Sequence, residues 1–291
     1  MQKFLYLIYA SRPKTLIASI SPVLISSMLC YKLHSFNIII FVLTIVAALL
    51  IQIMTNLIND LYDYKKGADT KNRIGPERMV QKGYLSENDM LNGIYVVFLL
   101  AIFIGCYLVS IGGILILCIG LSAFLFAYIY TATRFSVAYN GMGEFFVFLY
   151  FGIIASLGTY YLQTQTYNYH ALIIGLITGC LNINLLVINN LRDFSSDKAS
   201  NKNTLIVKFG KSFGKFEFIS MFISSYVFLY IFSLSLNDMM IFYSFIPLSF
   251  FAFFIIYKLL SDVSFVNYKA LPFFLLYMIL FTILLTCNIY L

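Results

Sequence analysis

A chain of 291 residues that is 61% hydrophobic and only 11% charged, with a mean hydropathy of +0.90, cannot bury its apolar side chains inside a water-soluble globule. Its 19 Lys+Arg and 12 Asp+Glu are too few to coat one or two soluble domains, which excludes the soluble nucleotide-fold enzymes. The net charge of +7 lies in loops between apolar runs, and this arrangement points to membrane lipid headgroups or a phosphorylated substrate and not to nucleic acid.

Uncharged apolar stretches recur at 15–31, 37–58, 91–111, 114–132, 145–162, 170–190, 218–236, 239–257 and 270–290. Each is close to the roughly 20 residues that cross a bilayer as a helix. The expected fold is therefore all-α and integral to the membrane, with nine spans. Positive charge stays on the cytoplasmic side. With the N-terminus inside and the C-terminus outside, 18 of the 19 Lys+Arg fall on inner segments and Lys32 alone on an outer one. Two inner loops are long and polar, 59–90 and 191–216. They follow spans four apart and both open on Asn and Asp, which predicts one transmembrane domain over 1–291. It would hold two pseudo-repeats of four helices, at about 1–133 and 134–257, and a final helix. The five cysteines lie singly in apolar runs and have no metal-site spacing.

The end of the second span reads Asn56, Asn59, Asp60, Asp63, Lys65, Lys66, Gly67, Asp69. At about 100° per residue, positions 56, 60 and 63 lie within roughly 60° of one another and form one polar stripe. After the sixth span, Asn189, Asp193 and Asp197 repeat the device at i, i+4, i+8. A single Asp at a span end is ordinarily solvated by headgroups. Asp60, Asp63, Asp69, Asp193 and Asp197 make five of the twelve acids in two clusters, and like charges stacked one turn apart repel until a cation neutralises them. Oxygen ligands from Asp and Asn, without His or Cys, select a hard ion such as Mg²⁺, and Mg²⁺ shares its ligand sphere with substrate phosphates. Two facing stripes thus describe a diphosphate site, with neighbouring Lys and Arg on the phosphate oxygens.

The run Asn59 to Asp69, read as N-D-x-x-D-x-x-x-G-x-D, is followed by Arg73-Ile-Gly-Pro-Glu-Arg78 and Gln81-Lys-Gly83. It resembles the UbiA superfamily of intramembrane aromatic prenyltransferases. Asn189-Asn190-Leu-Arg192-Asp193 through Asp197, Asn201, Lys202 and Thr204-Leu205 resembles the same family, as does Arg12-Pro13-Lys14-Thr15-Leu16. Gly67 stands where the 4-hydroxybenzoate branch has a third acid, which favours the naphthoate branch and leaves a ligand role for Asp69 open. Tyr130-Thr-Ala-Thr-Arg134 is similar to the family's Y-P-x-x-[KR], without its proline.

The resemblance implies transfer of a polyprenyl group from polyprenyl diphosphate to 1,4-dihydroxy-2-naphthoate, with loss of CO₂ and diphosphate, giving demethylmenaquinone at the cytoplasmic face of a bacterial cell membrane. It implies Mg²⁺ held by Asp60 and Asp63 on one side and Asp193 and Asp197 on the other, these four being the catalytic acids, with Asn56 and Asn189 fixing ligand geometry. Arg73, Arg134, Lys198 and Lys202 are the implied diphosphate cations, and Arg12 and Lys14 the implied holders of the acceptor carboxylate. The nearest alternative is another aromatic acceptor such as 4-hydroxybenzoate. A cation-coupled transporter would also have two halves and paired acids, but its site should lie at broken helices near the bilayer midplane, and these acids lie at span ends.

Overall fold

A computed structural model describes residues 2–67 and 75–291. Among them there is no strand. The helices are α1 (Gln2–Ala10), α2 (Ile17–Lys32), α3 (Ile38–Lys65), α4 (Glu87–Ile129), α5 (Gly143–Phe148), α6 (Ala155–Thr164), α7 (Tyr169–Arg192), α8 (Phe194–Ala199), α9 (Leu205–Phe209), α10 (Lys211–Ser235), α11 (Met239–Ser244), α12 (Ile246–Ser261) and α13 (Ala270–Tyr290). Six helical stretches among the described residues are long and apolar enough to cross a bilayer, and a seventh is added if Gln2–Thr15 and Ile17–Lys32, bent by 56°, form one span. The chain is an integral membrane protein.

The helix starts follow from local chemistry. Asn37 caps α3 by accepting from the Ile39 and Ile40 amides at 2.9 and 3.2 Å. Ser86 and Asp89 form a reciprocal capping box at the start of α4, satisfying amides that have no partner within the first turn. At 43 residues α4 would run about 65 Å, twice the apolar thickness of a bilayer. It is broken at Gly113, whose φ of 62° and ψ of −151° are not helical. The break falls between the two stretches read from the sequence as separate spans.

Several elements differ from the sequence-based expectation. Helix α1 precedes the first apolar stretch, and α3 continues through the acidic stripe to Lys65. The stretch expected as one span at 239–257 is divided into α11 and α12, with Pro247 in the first turn of α12. The loop at 191–216 contains α8 and α9. In addition, α5 and α6 are joined by a π-helical turn over Leu149–Ile154.

The best-enclosed helix is α7, with 78% of its apolar window buried against 11% for α4. It packs along α10 and, on another side, against the π-turn, where Gly152 meets Gly175 and Gly179 backbone to backbone. Around it Ile177, Leu181, Phe218, Phe222, Phe274 and Phe281 form the main apolar core. A deeply buried central helix therefore leads into the second polar stripe.

Candidate active site

The first stripe is buried. Asp60 is 1% exposed, Asp63 4% and Asn56 8%. The chain returns after its loop and lays Met79, Val80 and Leu85 against Leu57 and Leu61 of α3. That return aims the Met79 and Val80 amides at Asp60, at long distances of 3.3 and 3.4 Å. It also delivers Arg78, itself 3% exposed, whose Nη2 donates to Asp63 Oδ2 at 2.6 Å. The other oxygen, Asp63 Oδ1, accepts from the Tyr139 hydroxyl at 2.9 Å. Asn56 donates its amide to the Ser11 carbonyl at 2.8 Å, tying α3 to the segment before α2. Asn59 accepts from the Thr131 hydroxyl.

The second stripe is not one uninterrupted helix. The chain leaves α7 at Arg192 and re-enters helix at Phe194, but the bonds Asp193 N to Asn189 O and Asp197 N to Asp193 O, both 2.9 Å, carry the register across. Arg192 donates through Nε and Nη2 to both oxygens of Asp193 at 2.8 Å. Such a bidentate fork is a strong ion pair. Asp197 is buried and lies 3.6 Å from the Lys202 ammonium. Asn189 donates back to the Leu185 carbonyl of its own helix.

The expected cations divide. Lys202 reaches its acid, and the positive charge of Arg12 acts on Asp60 together with that of Arg78. Arg12 takes a left-handed backbone, φ 54°, just before Pro13. Lys14, Arg134 and Lys198 are exposed. Arg73 and Asp69 lie outside the described residues.

Between α2, α3, α4 and the α5–α6 segment lies an apolar cavity of about 540 Å³. Small side chains such as Ala47, Ala101 and Ala123 leave the gap. Its polar lining includes Ser19, Thr44, Gln52, Thr55, Tyr130 and Thr159, and Gln52 lies one turn before Asn56 on α3. The lining of the cavity reaches Gln52 and Thr55 on the helix that carries the first stripe.

The model of the UbiA prenyltransferase family matches residues 19–279. The chain belongs to that family. It is 33% identical over 213 residues to the 1,4-dihydroxy-2-naphthoate octaprenyltransferase of Haemophilus influenzae, covering 70% of this chain and 69% of the relative. It is 29% identical over 204 residues to the protein of the same description from Bacillus subtilis, covering 69% and 64%. Among solved structures, a UbiA homolog from Archaeoglobus fulgidus bound to GPP and Mg²⁺ superposes with a TM-score of 0.68 over 98% of this chain and 99% of that one. At 13% identity, that likeness concerns the fold alone.

Sequence spacing did not single out four residues that the structure places at the two stripes: Arg78, Arg192, Lys66 and Tyr139. Arg192 adjoins Asp193, and neighbours in sequence do not share a helix face. Arg78 and Tyr139 reach Asp63 from 15 and 76 residues away. Lys66 donates to the Thr133 carbonyl and the Ser136 hydroxyl at 2.8 and 2.9 Å. Among the described residues no three of His, Cys, Asp and Glu gather as a ready-made metal site. The two stripes instead carry their own cations, Arg78 and Arg192.

Proposed function

We propose that the chain transfers a polyprenyl group from polyprenyl diphosphate to 1,4-dihydroxy-2-naphthoate with loss of CO₂ and diphosphate, giving the quinol form of demethylmenaquinone. The observation that carries this reading is the pair of acidic stripes, one buried at the end of α3 and one at the end of α7, together with an apolar cavity of about 540 Å³ whose lining reaches Gln52, one turn before Asn56. The choice of acceptor follows the curated relatives named for that substrate.

The donors fit a hard divalent ion, being carboxylate and carboxamide oxygens without His or Cys. Asp60 and Asp63 would hold Mg²⁺ from one side and Asp193 and Asp197 from the other, with Asn56 and Asn189 beside them. When bound, the ion neutralises diphosphate charge and so makes diphosphate a competent leaving group. Lys202 and Lys66 would bind phosphate oxygens as the C1–O bond lengthens, with Arg73, Arg134 and Lys198 as further cations from the loops. The prenyl chain would lie in the 540 Å³ cavity. Its apolar wall excludes the water that would otherwise capture the allylic cation. Arg12, and Lys14 on the same turn, would hold the acceptor carboxylate until the new carbon–carbon bond forms at the ring and CO₂ departs.

The charge distribution supports nine crossings with the N-terminus and both long loops in the cytoplasm of a bacterial cell. The break at Gly113 would divide α4 into two of them. Expression in a bacterial strain unable to make menaquinone tests the function. Restored menaquinone supports it, whereas rescue of a ubiquinone-deficient strain instead would move the protein to the 4-hydroxybenzoate branch.

A further inference from the structure

Tyr139 occupies a position to which neither the sequence motifs nor the metal chemistry assigns a role. Its hydroxyl donates to Asp63 Oδ1 at 2.9 Å. Its carbonyl accepts from the Asn203 amide at 3.1 Å, in the loop of the second stripe. Its ring carries the Lys66 ammonium at 4.3 Å and the Lys202 ammonium at 5.6 Å from the centroid. Lys66 comes from the end of α3 and Lys202 from the segment after α8, and Lys202 also pairs with Asp197. A single side chain therefore touches an acid of the first stripe and a cation from each long loop.

Two ammonium groups repel when brought to one ring, and the ring's π face offsets only part of that. Such a pair is stable when an anion lies between or beside the two. The Asp63 carboxylate presents its Oδ1 lone pairs in a direction set by the phenol, and a carboxylate held by a hydrogen bond loses little freedom on taking a metal.

We propose that Tyr139 is a positioning residue coupling the two halves of the site: its hydroxyl orients Asp63 towards the metal, and its ring holds Lys66 and Lys202 where they receive the diphosphate. This rests on the Mg²⁺–diphosphate reading given above.

Two variants separate the two roles. The full chain in detergent is titrated with Mn²⁺, followed by electron paramagnetic resonance, and with inorganic pyrophosphate, followed by calorimetry at saturating Mn²⁺. Tyr139→Phe keeps the ring and loses the hydroxyl, so Mn²⁺ affinity falls roughly tenfold while pyrophosphate affinity stays at the wild-type level. Tyr139→Leu loses both, and pyrophosphate affinity falls a further several-fold. Lys66→Met costs less pyrophosphate affinity in the Tyr139→Leu background than in wild type, because the ring that holds this ammonium is already gone. Melting of each variant is recorded alongside; if Tyr139→Leu does not fold, Tyr139→Phe and Lys66→Met carry the comparison. Wild-type Mn²⁺ affinity in Tyr139→Phe overturns the orienting role. Pyrophosphate affinity unchanged by Tyr139→Leu or by Lys66→Met overturns the cation-holding role. A wild-type chain that binds neither probe overturns the site reading itself, and the proposal with it.

Discussion

Arg78 and Asp63 form an ion pair 2.6 Å long in which both side chains are almost wholly buried. A buried pair of this kind contributes little net stability while intact, but removing one partner takes an opposite charge away from the other in a medium that solvates it poorly. Arg78→Met should therefore destabilise the protein by about 3 kcal/mol. Asp63→Asn added to Arg78→Met should recover part of the loss. Thermal unfolding of the single and double variants in detergent checks this, and equal melting of Arg78→Met and wild type would contradict it.

The approach of α7 to the π-turn makes a second prediction, on packing. A Cβ built on Gly152 would lie 2.5 Å from the Gly175 carbonyl oxygen and 2.7 Å from the Gly179 Cα. Backbone atoms cannot step aside, so Gly152→Ala must push the two helices apart, at a cost of roughly 1–3 kcal/mol. The melting temperature should drop. Gly120, where an added Cβ meets nothing within 4 Å, supplies the control, and Gly120→Ala should melt like wild type.

Lys66 gives the pH dependence. Desolvation lowers its pKa below the ordinary lysine value of 10.5, with Asp63 opposing and Lys202 reinforcing the change. A base whose folded pKa is lowered is charged at pH values below that pKa and loses its proton before a free lysine would. Pyrophosphate binding that uses this ammonium should be full at neutral pH and weaken on the alkaline side before pH 10.5 is reached. Lys66→Arg remains protonated throughout, and its alkaline decline should vanish. Superimposable profiles for the two proteins, measured by calorimetry, would rule out Lys66 as the group responsible.

Much of the first stripe was legible in the sequence, because Asn56, Asp60 and Asp63 share a helix face by spacing alone and α3 extends far enough to carry all three. The second stripe was legible in register but not in form, since Asp193 sits at the junction of two helices. Arg78 and Tyr139 were hidden for a different reason. Their roles depend on how two loops fold back over α3, and no local periodicity encodes a contact between residues 63 and 139. The α11–α12 division was equally hidden within an apolar run, although Pro247 marks where a helix prefers to start.

Topology yields its own test. In a background lacking the five native cysteines, Lys82→Cys and Ala199→Cys place thiols at exposed positions in the two long loops. Both should react with an impermeant maleimide only when the cytoplasmic face is open, while Thr166→Cys, on the opposite side in the nine-crossing reading, should react in intact cells. Labelling of position 82 or 199 from outside would reverse the orientation.

The central claim is tested most directly by the product. Purified protein is incubated with polyprenyl diphosphate, Mg²⁺ and either 1,4-dihydroxy-2-naphthoate or 4-hydroxybenzoate, and the products are read by mass spectrometry. The predicted result is a prenylated naphthoquinol lacking the carboxylate, formed only with the naphthoate, lost on chelation of the metal and lost in Asp60→Ala and Asp193→Ala proteins that still fold. Prenylated hydroxybenzoate as the sole product, or undiminished turnover in both Asp variants or with the metal chelated, would contradict the account.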